Sequence, residues 1–244
     1  MLSTLQNNQD SLYSRLYHGL IVSCHRDMKR SYETLEFLVG FVKSVEEGGA
    51  AALRIEGKEN LRAVRHETKL PIIAFIMGEY DNGAQLITPS LDDIEDLFSA
   101  GADIVACDVT GRKRPNGLDG FSFLEEARSR FDKPLWADVA AFREGVKAAS
   151  IGADFVATTL SGYTPATIQK DQSRPDFQLI RDLAFSLTIP VIAEGRIYSQ
   201  EDAAYAIAEG AYAVVVGTAI TRPRILARMF SNTISHVAQN LHAS

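Results

Sequence analysis

Apolar residues in this chain come in short runs, and the stretches between runs carry apolar positions at helical spacing. The first run, Gly19-Leu20-Ile21-Val22-Ser23-Cys24-His25, ends on polar groups. Residues 31–47 then place Leu35, Leu38, Val39, Val42 and Val45 every three or four positions, which predicts an amphipathic helix. From there the pattern repeats. Gly49-Ala50, Gly101-Ala102, Gly152-Ala153 and Gly210-Ala211 each close a helical stretch. Each pair leads into an apolar run: Ala51-Ala52-Leu53, Ile104-Val105-Ala106, Phe155-Val156-Ala157 and Ala213-Val214-Val215-Val216. Glycine suits a helix C-terminus because the left-handed cap costs it little. Pro71, Pro134 and Pro190 open the alternate runs, at the first strand position, where a missing N–H is tolerated.

Adding Leu20–Ser23 makes eight short strands. Amphipathic segments lie between them at 91–99, 121–131, 142–150, 176–187 and 200–209, and Arg224 to His242 reads as a last helix over the sheet. Strands alternating with helices imply βαβ units and a parallel sheet, and eight such units in about 250 residues fit a (β/α)8 TIM barrel. A doubly wound open sheet gives no reason for a count of eight. Residues 1–17 read as a leading arm or short helix, and no linker or composition break divides residues 1–244, so a single barrel domain is expected.

Composition narrows the classes. The chain has 244 residues, 46% of them apolar and 23% charged, close to the globular average, and a net charge of −6. That balance gives no electrostatic reason to expect nucleic acid or an anionic membrane as partner. The polar N-terminus lacks the apolar core of a secretory signal, and no run approaches membrane-spanning length. Cys24 and Cys107 make neither a metal-ligand spacing nor a disulfide framework, and both lie in apolar runs, as buried thiols in a reducing compartment do. A soluble cytoplasmic protein is expected.

In a barrel of this kind the active site lies at the C-terminal ends of the strands. Those ends carry His25; Arg54 and Glu56; Met77 with Gly78 and Glu79; Asp108; Asp138; Thr158 and Thr159; Glu194, Gly195 and Arg196; and Gly217 and Thr218, with Arg222 close behind. Arg54, Arg196 and Arg222, with the backbone at Gly195 and Gly217, suit a phosphate, because the loops after the last two strands form the usual phosphate site of the fold. The same glycines would also serve simply to ease strand-to-helix turns. Asp108 reads equally as a ligand contact and as the N-cap of the next helix. Glu56 could pair with Arg54 or Lys58. Glu is a poor N-cap, which favours a functional carboxylate at Glu194. His25 at a strand exit could act as acid or base, or be a hydrogen-bonded structural histidine. No metal cluster, nucleophile elbow, Walker loop or dinucleotide fingerprint is present. The residues alone point to a phosphorylated small molecule and a site rich in carboxylates.

The motifs Gly19–Cys24, Leu53-Arg-Ile-Glu-Gly57, Leu70-Pro-Ile-Ile73, Ile87-Thr-Pro89 and Ala100-Gly-Ala-Asp-Ile104 resemble the bacterial N-acetylmannosamine-6-phosphate 2-epimerase family. So do Thr158-Thr-Leu-Ser-Gly-Tyr-Thr164, Val191-Ile-Ala-Glu-Gly-Arg196 and Val216-Gly-Thr-Ala-Ile-Thr-Arg222, and the resemblance runs from Gly19 to about Met229. It implies inversion at C2 of an N-acetylhexosamine 6-phosphate in amino-sugar and sialic-acid catabolism, by proton transfer next to a carbonyl, with no metal or other cofactor. It also implies that Glu194 is one of a catalytic pair, with Asp138, Arg54 and the phosphate-binding Arg222 around it. The family's other catalytic residue is a lysine in the frame Pro-Ile-Ile-Gly-Ile-Ile/Val-Lys-Arg-Asp. Here that frame reads Pro71-Ile-Ile-Ala-Phe-Ile-Met77-Gly-Glu79, so Met77 stands in the lysine's place, and His25 stands where glutamine is common. A thioether moves no proton, which makes His25 or Glu194 the expected stand-in. An isomerase or lyase on another sugar phosphate and a non-catalytic sugar-phosphate sensor are the alternatives. Barrels of this kind often pair through exposed helices, so a homodimer is among the expected assemblies.

Overall fold

The computed structural model describes residues 12–24, 26, 30–79, 85–114 and 116–242. His25 and the first eleven residues of the leading arm lie outside them. The strands are β1 (Leu20–Cys24), β2 (Ala52–Glu56), β3 (Ile72–Phe75), β4 (Met77–Glu79), β5 (Gln85–Ile87), β6 (Ile104–Asp108), β7 (Leu135–Asp138), β8 (Phe155–Ala157), β9 (Val191–Glu194) and β10 (Ala213–Val216). Eight of them close into a barrel, in the order β1, β2, β3, β6, β7, β8, β9, β10, every neighbouring pair parallel. The (β/α)8 expectation is met.

The helices between strands follow the amphipathic segments. They are α1 (residues 12–16), α2 (Leu35–Glu47), α3 (Lys58–Arg65), α4 (Leu91–Ser99), α5 (Gly120–Arg130), α6 (Phe142–Ile151), α7 (Phe177–Ser186), α8 (Gln200–Ala208), α9 (Thr218–Thr221) and α10 (Pro223–His242). Side-chain oxygens cap their starts: Thr34 for α2, Ser90 for α4, Asp119 for α5, Asp176 for α7 and Ser199 for α8. The glycines of the four Gly-Ala pairs all have φ between 92° and 112°, the left-handed stop their spacing predicted.

Side-chain alternation sorts each strand into two faces. One face packs on the helices, as with Val22, Leu53, Ile55, Ile72, Val105, Cys107 and Val156. The other fills the barrel with Ile21, Ala52, Ile73, Phe75, Ile104, Ala106, Trp136, Phe155, Ile192 and Val215. Helix α1 closes the barrel floor: Leu16 is wholly buried in that inner cluster, and Tyr13 stacks on Phe155 at 5.0 Å. The same alternation carries upward to Ser23, Arg54, Glu56, Asp138 and Glu194 at the mouth.

Two sequence expectations need correction. Met77-Gly-Glu79 does not end a barrel strand; β3 stops at Phe75, and β4 turns away to pair antiparallel with β5, Met77 opposite Ile87. Thr88 fixes that departure, its hydroxyl accepting from the Ile76 N–H and donating to the Ala106 carbonyl. The C-terminal helix forms but does not lie over the barrel: residues 227–239 are exposed, with Phe230 at 70% and Ile234 at 67%.

Candidate active site

Arg54 organises the mouth. Its guanidinium donates to both carboxylate oxygens of Asp138, at 3.1 Å and 2.6 Å, and Nη1 also donates to Glu194 Oε2 at 2.7 Å. It lies over two aromatic rings, 4.8 Å from the Phe75 ring centre and 5.6 Å from that of Trp136. Burial alone would lower the arginine's pKa, but the two carboxylates overcome this and hold it above its ordinary value. Asp138 accepts further bonds from Trp136 Nε1, at 3.0 Å, and from the Thr159 hydroxyl. The Thr159 hydroxyl also lies 3.1 Å from Glu194 Oε2.

Glu194 is the member poised to change charge. Its side chain is 13% exposed. Burial pushes its pKa up to about 7; Arg54 and the Thr159 hydroxyl pull it down, and Asp138 pushes it further up. Two carboxylates share one guanidinium here, so the second negative charge is under-compensated. A carboxyl in that state can take or give a proton near neutral pH.

Beside Glu194 lies a cavity of about 210 Å³, lined by Ser23, Thr159, Tyr163, Glu194, Gly195, Arg196, Ile197, Tyr198, Val215, Gly217 and Thr218. Among the described residues, the backbone N–H groups of Gly195, Gly217 and Thr218 find no acceptor. Gly195 at φ 111° and Arg196 at φ 58° turn the chain sharply at this wall. Adjacent free N–H groups in such a turn form a cradle for an anion.

Not every expected site residue faces this space. Arg196 is buried and spends its guanidinium on the long loop after β8: Nε donates to the Arg174 carbonyl at 2.8 Å, and Nη1 to the Ser161 carbonyl at 2.7 Å. Arg196 lines the cavity as well as tying down the loop. Arg222 ends the four-residue α9 and lies outside the cavity lining. Thr158 is buried, its hydroxyl accepting from the Glu194 N–H at 3.1 Å and donating to the Glu194 carbonyl at 3.0 Å, so it sets the height of Glu194. Asp108 is wholly buried and builds its own loop: Oδ1 accepts from Thr110 N–H and hydroxyl, and Oδ2 from Arg112. The N-cap reading of Asp108 is overturned, since Asp119 caps the next helix. Glu56 pairs with neither expected partner, because Arg54 belongs to Asp138 and Glu194, and Lys58 pairs with Asp96. Met77, 37% exposed, stands at the base of the β4–β5 arm.

Sequence reasoning missed Trp136 and Tyr163. Trp136 precedes Asp138 by two in a strand, so alternation alone places both on the inner face. Tyr163, within the Thr158–Thr164 motif, covers the Arg196 guanidinium at 5.2 Å and lines the cavity.

Comparison with known proteins gives one consistent neighbourhood. A family profile described as "Putative N-acetylmannosamine-6-phosphate epimerase" matches residues 38–236. A relative from Caldanaerobacter subterraneus subsp. tengcongensis, named "Putative N-acetylmannosamine-6-phosphate 2-epimerase", is 40% identical over 223 residues, covering 91% of this chain and 93% of its own. One of the same name from Yersinia pseudotuberculosis is 41% identical over 228 residues, covering 93% of this chain and 95% of its own. The solved structure of the N-acetylmannosamine-6-phosphate 2-epimerase from Clostridium perfringens matches with a TM-score of 0.84 at 35% identity, covering 91% of this chain and 95% of that one.

Proposed function

This chain belongs to the N-acetylmannosamine-6-phosphate epimerase family, and we propose that it interconverts N-acetylmannosamine 6-phosphate and N-acetylglucosamine 6-phosphate by moving the proton at C2. The observation that carries this reading is Glu194, a carboxyl held near neutrality beside a cavity rimmed by backbone N–H groups that have no acceptor among the described residues. The phosphate sits against Gly195, Gly217 and Thr218, which directs the open-chain sugar across the mouth toward the centre of the barrel. The Glu194 carboxylate removes the C2 proton, and the electrons of the C–H bond move onto the neighbouring carbonyl oxygen. Arg54 keeps Glu194 in position, Asp138 holds Arg54, and Thr159 bridges the two carboxylates. Met77 takes no part in proton transfer.

A second copy of the chain covers α10. Met229, Phe230, Ile234 and Val237 form an exposed apolar stripe on that helix, and burial of such a stripe contributes about 25 cal/mol per Å². We place the protein in the cytoplasm, in keeping with two buried free cysteines and a sugar-phosphate substrate.

The test is incubation with N-acetylmannosamine 6-phosphate in deuterated water, followed at C2 by NMR. The gluco epimer carrying deuterium at C2 is the expected result. Binding with neither exchange nor product would replace the epimerase reading with a sugar-phosphate sensor.

A further inference from the structure

Inversion of a carbon through an enolate can be divided between two proton carriers, one for each face of the flattened intermediate. Glu194 serves one face on the reading above, and the present inference rests on that reading. In the circular strand order, β3 stands opposite β9, with β2 and β6 on either side of β3. The barrel strands β2 and β6 each end in a carboxyl of the inward-facing series, Glu56 and Asp108. Asp108 has both oxygens occupied by its own loop. Glu56 does not.

Glu56 follows Ala52 and Arg54 on the inner face of β2, so it stands two residues, about 7 Å, beyond Arg54 toward the mouth. Arg54 itself reaches Glu194 from that strand, so this face of β2 looks across at Glu194. The backbone at Glu56 is held in place: Asn60 Nδ2 donates to its carbonyl at 2.7 Å, and Arg26 Nε donates to Asn60 Oδ1 at 2.6 Å. The Met77 backbone N–H favours the charged Glu56 carboxyl, which puts Glu56 near the residue whose thioether cannot carry a proton. Burial raises its pKa, while the Met77 N–H and the charge of Arg26 pull the other way, so its protonated form is favoured relative to a free glutamate.

We propose that Glu56 is the second catalytic residue, giving and taking the C2 proton on the face turned away from Glu194. In one direction Glu194 accepts the proton from C2 and the carbonyl becomes an enolate. Glu56 then gives its own proton to C2 from the opposite side as the enolate electrons re-form the carbonyl. Glu194 ends protonated and Glu56 ionised, and exchange with water after product release restores both.

Wild type, Glu56→Gln and Glu194→Gln are each supplied with either epimer in deuterated water. Glu56→Gln is expected to lose interconversion by roughly 100-fold or more while still exchanging the C2 proton of one epimer, and Glu194→Gln should exchange only the other. A merely structural role would not split the two epimers in this way. Interconversion by Glu56→Gln within threefold of wild type overturns the role of Glu56 and leaves the epimerase reading intact. So does loss of both exchanges in a Glu56→Gln protein with a wild-type melting profile. A wild type that exchanges neither epimer removes the epimerase reading first, which is a distinct result. Should Glu56→Gln fail to fold, Glu56→Asp keeps the carboxyl: a kcat about tenfold lower at unchanged KM is expected, and a wild-type kcat overturns the proposal.

Discussion

Arg54 and Asp138 form a two-bond fork in which both side chains are sealed from solvent, 2% and 0% exposed, although 84 residues separate them in sequence. A pair this buried is held by geometry: each partner has met its desolvation penalty, and removing one strands the other. Arg54→Met is therefore expected to destabilise the fold by about 3–5 kcal/mol, read from urea unfolding. Arg54→Lys keeps the charge but loses the planar fork, and should retain more stability than Arg54→Met while losing most of the activity.

Glu194 makes stability and activity run in opposite directions with pH. Its pKa in the folded protein is about 7, above its ordinary 4.5, so the folded state holds the extra proton between those values. The stabilisation this gives is complete below about pH 4.5 and is lost as pH rises through about 7. Glu194→Gln removes the effect, so its melting temperature should improve relative to wild type on going from pH 5 to pH 8. The base form is populated over the same interval, so for the epimer whose C2 proton Glu194 takes, kcat/KM of the wild type should climb on an acid limb set by Glu194 and fall again where Glu56 ionises.

Thr159 tunes that climb. Its hydroxyl favours ionised Glu194, so Thr159→Val should shift the acid limb of the kcat/KM profile to higher pH and lower the rate at pH 6 more than at pH 8. A limb that does not move would remove Thr159 from the titrating network.

Arg196 ties the loop after β8 to the turn after β9 through the carbonyls of Ser161 and Arg174. Arg196→Met should release that loop, seen as faster proteolysis between residues 160 and 176. Because Tyr163 and Thr159 line the cavity from this side, KM should rise by roughly tenfold, about 1.4 kcal/mol, with a smaller change in kcat.

The exposed stripe on α10 predicts concentration-dependent assembly. Ile234→Glu places a charge in its centre and should convert a dimer to a monomer in light scattering, with the barrel's far-UV spectrum retained. A wild type that is monomeric at all accessible concentrations would withdraw the second copy from this helix.

The barrel was legible because its signals are local. Gly152 at a left-handed helix stop and Pro134 at a strand start carry their conformational demands in their own covalent structure, and strand alternation then sorts Arg54 and Asp138 inward. What the residues at Arg196 and Asp108 do was not legible, because it depends on which of several nearby acceptors or donors a long side chain reaches. Arg196 reads as an anion ligand from its place after Glu194-Gly195, and it does line the cavity, but only the path of the loop around Ser161 reveals the carbonyls it also bonds. The β4–β5 arm escaped for a related reason: Ile72–Ile76 is apolar throughout, and the point where the chain leaves the barrel is set by Thr88, twelve residues beyond Ile76.

Leu16 and Tyr13 connect the amino-terminal arm to the charged layer through stacked rings. Tyr13 lies on Phe155, Phe155 packs on Trp136, and the Trp136 indole donates to Asp138. A chain trimmed of its arm would leave the lower end of the inner core uncovered and Phe155 without its stacking partner. The loss would fall on the packing that carries the indole beneath Asp138, at the far end of the barrel from the cut.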